Sequence, residues 1–417
     1  MLNAMKAPAK PNKVGLAGAT VALVLLTALN FVNYIDRYIL PGVQEMVKHE
    51  FSLTDQAVGA LTTWFFIAYI VAAPATGWLG DRMSRKLLIF AGALLWSGVN
   101  LFTAFVHSYD ALLVRHAALG IGEASFGIFA PAVLADFYPA EQRNRVLTIF
   151  NLAVPVGAAI GYAAGGGLAA AHGWRAPFFV SAIPGIIFAF AVLFFMKEPK
   201  RGASDKSESK PEKQMVLGLV KNHAYTTSVI AFAMVTFMIG GVAAWIPTFF
   251  QRFHGMSLQK ADFSVGAITV VAGIAGTVLG GIWAQKWIKT NHRALYLVSA
   301  WSALSSIPFA LLCFFGPGKL SLPSLALAEF CIFLGTGPLN AAVVNAVSSR
   351  VRATALAGEL FLLHVLGDAP SPRLIGAVSD ATNLRLGLAV TVVALAIAGA
   401  LLFYGARFAP KVESQLA

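Results

Sequence analysis

The chain has 417 residues, of which 58% are hydrophobic and only 12% charged, with a mean hydropathy of +0.72. A soluble domain carries about 25% charged residues, so this composition excludes one and points to a polytopic membrane protein. The net charge of +12 raises nucleic acid as a partner, but the placement of the charges removes it, as shown below.

Apolar runs of roughly 20–28 residues can cross a ~30 Å hydrocarbon core at 1.5 Å per residue. Such continuous runs form helices there, because each backbone N–H and C=O then finds its partner inside the segment. Twelve spans are predicted, at 15–44, 56–80, 86–107, 110–137, 144–170, 175–196, 224–250, 261–286, 293–315, 321–347, 352–378 and 384–407. The first is too long for the apolar core of a signal peptide, and no small-residue cleavage site precedes its polar step, so it reads as a retained span.

Toward the outer end of that first span stands Asn33-Tyr34-Ile35-Asp36-Arg37-Tyr38. An ionisable side chain in the bilayer costs roughly 2.5–3.5 kcal/mol on insertion scales, so Asp36 reads first as a proton or substrate site. In the plainer reading, Asp36 and Arg37 snorkel to headgroups, or pair with each other and only position the helix. Between the second and third spans the chain turns tightly through Gly77-Trp78-Leu79-Gly80-Asp81-Arg82-Met83-Ser84-Arg85-Lys86. Gly77 and Gly80 allow close helix approach, and Asp81 can accept from a neighbouring helix N-terminus. The basic residues hold the turn inside, which an ordinary basic loop would also do.

Span four carries Arg115-His116, then Gly120-Ile121-Gly122-Glu123. Counting inward from Asp110 at 1.5 Å per residue, Arg115 lies ~8 Å along the helix and Glu123 ~12 Å deeper. Eight residues turn a helix by ~80° net, so both can face one cavity, with Arg115 at a depth comparable with Asp36. A carboxylate buried beside a guanidinium keeps its charge until the pair is displaced, which is the physics of a proton-coupled switch. A static ion pair tying spans one and four together is the alternative. In span five, Gly157, Gly161 and Gly165-Gly166-Gly167 repeat small residues every four positions, a face for close helix packing.

Residues 198–222 are polar, mixed in sign and free of aromatics up to His223, a composition that reads as a solvated linker. It separates a six-helix bundle over 1–197 from a second over 223–417. The second half echoes the first: Gly281-Ile282-Trp283-Ala284-Gln285-Lys286 ends span eight as an eroded copy of the Gly77–Lys86 step. Parallel six-helix repeats of this kind rock about a site near the midplane. Glu329, Glu359, His364, Asp368 and Arg373 fall within spans ten and eleven. Glu329 and Asp368 are candidate cavity residues, and Pro370 and Pro372 break helical hydrogen bonds near the outer end. His364 is either a group titrating near neutral pH or a satisfied structural histidine. Trp64, Phe65, Tyr69 and Phe126 could wall an apolar site, though each alone suits lipid or core equally. Cys313 and Cys331 read as small hydrophobes.

An even number of spans places both termini on one side. Of the 31 Lys and Arg, six (Lys48, Arg175, Arg252, Lys260, Lys319, Arg385) fall on the opposite side and three (Arg37, Arg115, Arg373) at membrane depth, leaving 22 on the side of the termini. Positive residues gather on the cytoplasmic face, so both termini are expected inside, and the basic surplus is a topology signal.

The Gly77–Lys86 segment resembles the inter-helix signature of the major facilitator superfamily, with Ser84 in place of the usual small glycine. Arg115 with Gly120-Ile121-Gly122 is similar to that superfamily's arginine–glycine pattern in the fourth span, followed here by an acid. The span-five glycines resemble a motif of its antiporters without the glycine–proline dipeptide. Asn33 to Arg37, Gly120 to Phe126, Ala130-Pro131 with Ala135-Asp136, and His364 to Pro372 resemble the spinster branch in its bacterial form. The resemblance implies an all-α polytopic fold of twelve transmembrane helices in two pseudo-symmetric six-helix bundles, and secondary transport. Animal members export lysolipids, sphingosine phosphate among them. Carried over, Asp36 and Glu123 become protonation candidates with Arg115 as their charge partner, and Gly77, Asp81, Arg82, Arg85 and Lys86 form a gating latch. Arg37, Phe126, Tyr69, Glu329 and Asp368 are the substrate-binding candidates.

Three functions are weighed: a proton-coupled carrier exporting a lipid-like or hydrophobic amphipathic molecule; a uniporter or organic-anion carrier that binds its substrate through Arg115; and a membrane receptor or scaffold that moves nothing. The latch argues against the last, since a static receptor has no use for it. No glycine loop precedes a Lys-Ser/Thr pair, and no His/Cys cluster suggests a metal. The expectation is therefore a non-enzyme with protons as its coupling ion and no other cofactor. It is expected to be a monomer in a bacterial inner membrane, with membrane lipids and a small amphipathic substrate as partners and no nucleic acid.

Overall fold

The computed structural model describes residues 16–199, 213–348 and 351–411. Seven helices make the first half: α1 (Leu16–Phe51), α2 (Asp55–Arg82), α3 (Arg85–Phe102), α4 (Tyr109–Phe137), α5 (Ala140–Asn151), α6 (Ala153–His172) and α7 (Ala176–Phe195). The second half holds α8 (Lys213–Lys221), α9 (His223–His254), α10 (Leu258–Trp287), α11 (Ala294–Phe315), α12 (Gly318–Asn345), α13 (Arg352–Leu363), α14 (Pro370–Ala381) and α15 (Leu384–Gly405). The ends are where local chemistry sets them. Thr54, Ser84, Ser108, Asn222, Ser257 and Asn383 each accept from a backbone N–H in the first turn of the helix that follows, satisfying donors that a helix start leaves orphaned. Gly255 closes α9 in the left-handed conformation at φ 59°, where a side chain would be strained.

Among the described residues, eleven helical segments are long and apolar enough to cross a membrane. The remaining span is broken. Pro370 and Pro372 cannot donate to Leu366 and Asp368, so the chain re-pairs with a wider spacing: Ala369 N–H donates to the His364 carbonyl at 3.0 Å. The result is a π-helical turn at His364–Asp368 between α13 and α14. Span five is also in two pieces, α5 and α6 meeting at Leu152, where Pro155 in the first turn of α6 cannot continue the earlier ladder.

The predicted linker differs from expectation at both ends. Residues 200–212 lie outside the described residues, but Glu198 docks on the start of α3 and 213–221 form a helix. Leu219 of that helix is buried with Tyr225, Val343 and Val347, enough apolar contact to order a segment whose charge suggested otherwise.

Within the first half α1 packs on α6 and α7, α2 on α4, and α3 on α4 and α7; within the second, α9 packs on α15, α10 on α12, and α11 on α12 and α15. Gly157 and Gly161 of α6 lie against the α1 backbone at Phe31 and Ile35, so the small-residue face is a packing seam. The halves meet along two seams, α2 with α14 and α6 with α10. In spans these are two with eleven and five with eight. A shift by six spans converts one pair into the other, the relation expected of a duplicated chain.

Polar links across the seams gather toward the end opposite the termini, here the far side. Gln44 donates to Thr248 at 2.6 Å. Arg252 of α9 holds Glu45 at 2.5 Å and Asp55 at 2.7 Å. Asp380 accepts from the Asp55 and Gln56 backbone N–H groups, and Ser379 donates to the Asp55 carboxylate. These links seal the far side, an arrangement of the kind that rocking bundles alternate with its opposite.

Candidate functional site

Four helices of the first half converge on a buried charged cluster. α1 brings Asn33, Asp36 and Arg37; α3 brings Asn100; α4 brings Arg115, His116 and Glu123; α7 brings Ser181. Arg37 Nη2 donates to Glu123 Oε2 at 2.5 Å and Nε to the same oxygen at 3.2 Å. The guanidinium also lies 5.0 Å from the Tyr34 ring, 5.1 Å from Phe65 and 5.9 Å from Phe66. Those rings favour a cation while excluding water from it.

Arg115 makes no hydrogen bond to either acid. Its Nε donates to Thr103 Oγ1 at 2.8 Å, Nη2 donates to Asn100 Oδ1, and Nη1 meets His116 Nε2 at 3.1 Å. The Phe178 ring lies 4.5 Å from it. His116 Nδ1 sits 2.8 Å from the Leu112 carbonyl. A carbonyl only accepts and a guanidinium only donates, so His116 carries its proton on Nδ1 and is neutral. Arg115 acts on Asp36 and Glu123 through space.

Asp36 is the anomaly of the cluster. It is 1% exposed, and neither carboxyl oxygen has a hydrogen-bond partner, although Ser181 and Asn100 flank it and Arg115 and Glu123 act on it. Buried polar groups are nearly always satisfied, so an orphan beside two guanidinium groups asks for a role. Asp36 lines a cavity of about 30 Å³ with Arg37, Thr62, Phe65, Phe66, Arg115 and His116. Glu123 keeps one oxygen, Oε1, unpartnered as well.

The other candidates are spread out. Tyr69 and Phe66 of α2 face His364 across the inter-half seam, each ring centroid 5.2 Å from the imidazole. His364 Nδ1 is 2.8 Å from Asp368 Oδ2. Glu329 accepts from Thr269 at 3.2 Å and lines a second cavity of about 50 Å³ with Tyr38 and Tyr162, so α1 contributes to both cavities from successive faces. Phe126 is buried between Trp96 and Phe150, ring centroids at 5.5 and 6.1 Å; it is a core residue of the first half, not a cavity wall.

On the side of the termini, the Gly77–Lys86 turn is locked inside the first half. Arg85 Nη2 donates to Asp136 Oδ2 at 2.5 Å, and its backbone N–H donates to Glu198 at 2.7 Å. Ser84 caps α3 and also donates to Glu198. Gly80 abuts the Phe129 ring, whereas Gly77 faces open space. Arg82 lies over Trp78, its guanidinium 4.0 Å from the ring; Asp81 is exposed and Lys86 half-buried. Sequence reasoning missed Glu198 as the partner of this turn and Arg252, Glu45 and Asp55 as the far-side clamp. A lone charge in a loop set nearly free of others was the signal Arg252 offered.

Two six-span halves, sealed at one end and enclosing charged side chains at membrane depth, define an integral membrane transporter. The Major Facilitator Superfamily model matches residues 26–361. Protein spinster homolog 1 of Xenopus laevis is 32% identical over 390 residues, covering 87% of this chain and 73% of that protein. The sphingosine-1-phosphate transporter SPNS2 of Danio rerio is 34% identical over 388 residues, covering 86% and 76%. Among solved structures, a bacterial homologue of the human lysosomal transporter Spinster, inward-facing and unoccupied, superposes with a TM-score of 0.83 at 23% identity, covering 95% of this chain and 98% of that one. A D-xylose–proton symporter superposes with a TM-score of 0.77 at 15% identity, over 94% and 98%. The chain belongs to the spinster family of the major facilitator superfamily; it is a transporter, not an enzyme.

Proposed function

We propose that the protein is a proton-coupled carrier that exports a lipid-like or hydrophobic amphipathic molecule by alternating access. One observation carries the reading: Asp36 is buried without a hydrogen bond next to the Arg37–Glu123 ion pair. A proton arriving at either carboxyl changes the charge balance among Asp36, Glu123, Arg37 and Arg115. Protonated Glu123 releases Arg37, whose side chain is 22% exposed where that of Glu123 is fully buried. Freed, it can meet an anionic headgroup, which links proton binding at Glu123 to substrate binding at Arg37 and proton release to substrate release, because carboxylate and headgroup compete for one cation. The aromatic rings around Arg37 and the Phe66–Tyr69–His364 stack suit an apolar tail, and the name of the Danio rerio relative, a lysolipid-type transporter, agrees in class. Arg115 is held by Thr103, Asn100 and His116, which favours a positioning role for it over anion binding by a uniporter. Both termini lie in the cytoplasm of a bacterial inner membrane in this reading, so the sealed far side is external and the protein is a monomer facing inward.

The test is transport in liposomes under an imposed pH gradient, with lysolipids, fatty acids and hydrophobic drugs as substrates. Asp36→Asn and Glu123→Gln should each abolish gradient dependence. Full gradient dependence in both variants would sink the coupling assignment, and transport that never responds to the gradient in the parent chain would leave a uniporter.

A further inference from the structure

Asp262 opens the second turn of α10, on the far-side half of the molecule, and the coupling cluster does not use it. It is 0% exposed, and neither carboxyl oxygen has a hydrogen-bond partner. The group is wedged across the α6–α10 seam into a niche that two glycines of the other half leave open. A Cβ at Gly42 of α1 would stand 2.7 Å from Asp262 Oδ2, and one at Gly166 of α6 would stand closer still. One turn before each glycine lies a tyrosine, Tyr38 and Tyr162, their rings 5.1 Å apart. The Tyr162 hydroxyl donates to the Ala243 carbonyl at 2.6 Å and so is committed elsewhere. On α12, Glu329 bonds to Thr269; on α9, Arg252 is taken by Glu45 and Asp55 and His254 stacks on Phe249 and Phe250. Lys260, on the same helix as Asp262, is exposed. Among the described residues no cation and no N–H compensates the carboxyl, and an unpaired charge in such a place is what folded proteins avoid by taking up a proton.

We propose that Asp262 is a second proton-binding site of the carrier, holding a proton while the far side is sealed and releasing it to water when the halves part there. The niche spans the two halves, so rocking must pull the carboxyl away from Gly42 and Gly166. Water then reaches it, the O–H bond breaks, and the carboxylate that remains cannot return to the niche until it takes a proton back. Sealing the far side therefore takes up one proton at this site and opening it gives one up. The proposal needs only that the halves separate at the far side; it does not rest on the coupling roles of Asp36 and Glu123.

Spin labels at His49 and Lys319, both exposed at far-side helix ends, report opening by pulsed electron resonance in a Cys313→Ala, Cys331→Ala background in lipid nanodiscs. From pH 5 to pH 9 the long-distance population should grow at least fivefold in the parent chain. Asp262→Asn, which keeps shape and removes ionisation, should hold the far side shut across the range. The Asp262-dependent growth should persist in the Asp36→Asn, Glu123→Gln double variant, which separates this test from that of the coupling cluster. Gly42→Ala pushes the carboxyl out of its niche and should raise the long-distance population at every pH, giving a second reading should Asp262→Asn fold poorly. An Asp262→Asn profile that follows the parent's pH dependence, or a Gly42→Ala population equal to the parent's, overturns the proposal.

Discussion

Arg252 reaches from α9 to two carboxylates of the first half, and truncating it puts a number on the far-side seal. Its Nε and Nη2 hold Glu45 at 3.1 and 2.5 Å, and its Nη1 and Nη2 hold Asp55 at 2.7 Å each. A hydrogen bond to a charged group contributes about 1.5–3 kcal/mol, but these four act as two ion pairs. The Arg252 side chain is also 23% exposed, and solvent screening discounts pairs of that kind. Asp55 keeps Lys48 and Ser379 after the change, so it is not left stranded. A loss of about 2 kcal/mol from the sealed state is a shift of roughly 30-fold in the opening equilibrium. A far-open population of about 1% would then rise to roughly a quarter, well within reach of the distance measurement between His49 and Lys319. Lys48→Met is the control. Lys48 and Asp55 both belong to the first half, so losing their 2.5 Å pair should lower stability without opening the seam. An Arg252→Ala population within threefold of the parent's, or an equal effect from Lys48→Met, refutes the assignment of Arg252 as the clamp.

Two further outcomes follow from close contacts described above. Asp136→Asn leaves the Arg85 side chain, 10% exposed, without the Asp136 carboxylate, and should cost about 3 kcal/mol of stability; an unchanged melting temperature of the purified protein argues against a locked turn. Gly59→Val places a Cβ against the Pro372 carbonyl on the α2–α14 seam and should favour the far-open state with little loss of stability, because the clash disappears once the halves part; far-side distances like the parent's would show that this seam yields.

The spans, the tight turn between the second and third, and the presence of a charged cluster were legible because the bilayer makes each of these features costly to place by accident. Partner choice was not. Asp36 and Arg37 are adjacent and point about 100° apart on a helix, so depth alone could not decide which of them would meet Glu123. Arg115 sat at the right depth, yet Thr103 and Asn100 on the neighbouring span took its donors. The Arg252 clamp joins residues nearly 200 positions apart, a distance no periodicity reports. In 198–222, composition missed the ends, where Glu198 finds Arg85 and Leu219 finds Tyr225. Span eleven was placed as a stretch of chain, and its prolines, read as breaking helical hydrogen bonds near the outer end, divide the helix there.

That division gives the span two grips. α13 is anchored in the second half, where the Ala355 carbonyl accepts from Tyr225. α14 is held from both sides: Gly59 lies under Pro372, Gly376 on the Asp55 backbone, and Ser379 and Asp380 bond to the start of α2, while Trp245 Nε1 donates to the Pro372 carbonyl and Ile375 packs against Gly241 and Gly387. When the far side parts, the bonds to α2 are the ones that must break, and the wide turn at His364–Asp368 is where the span can bend as they do.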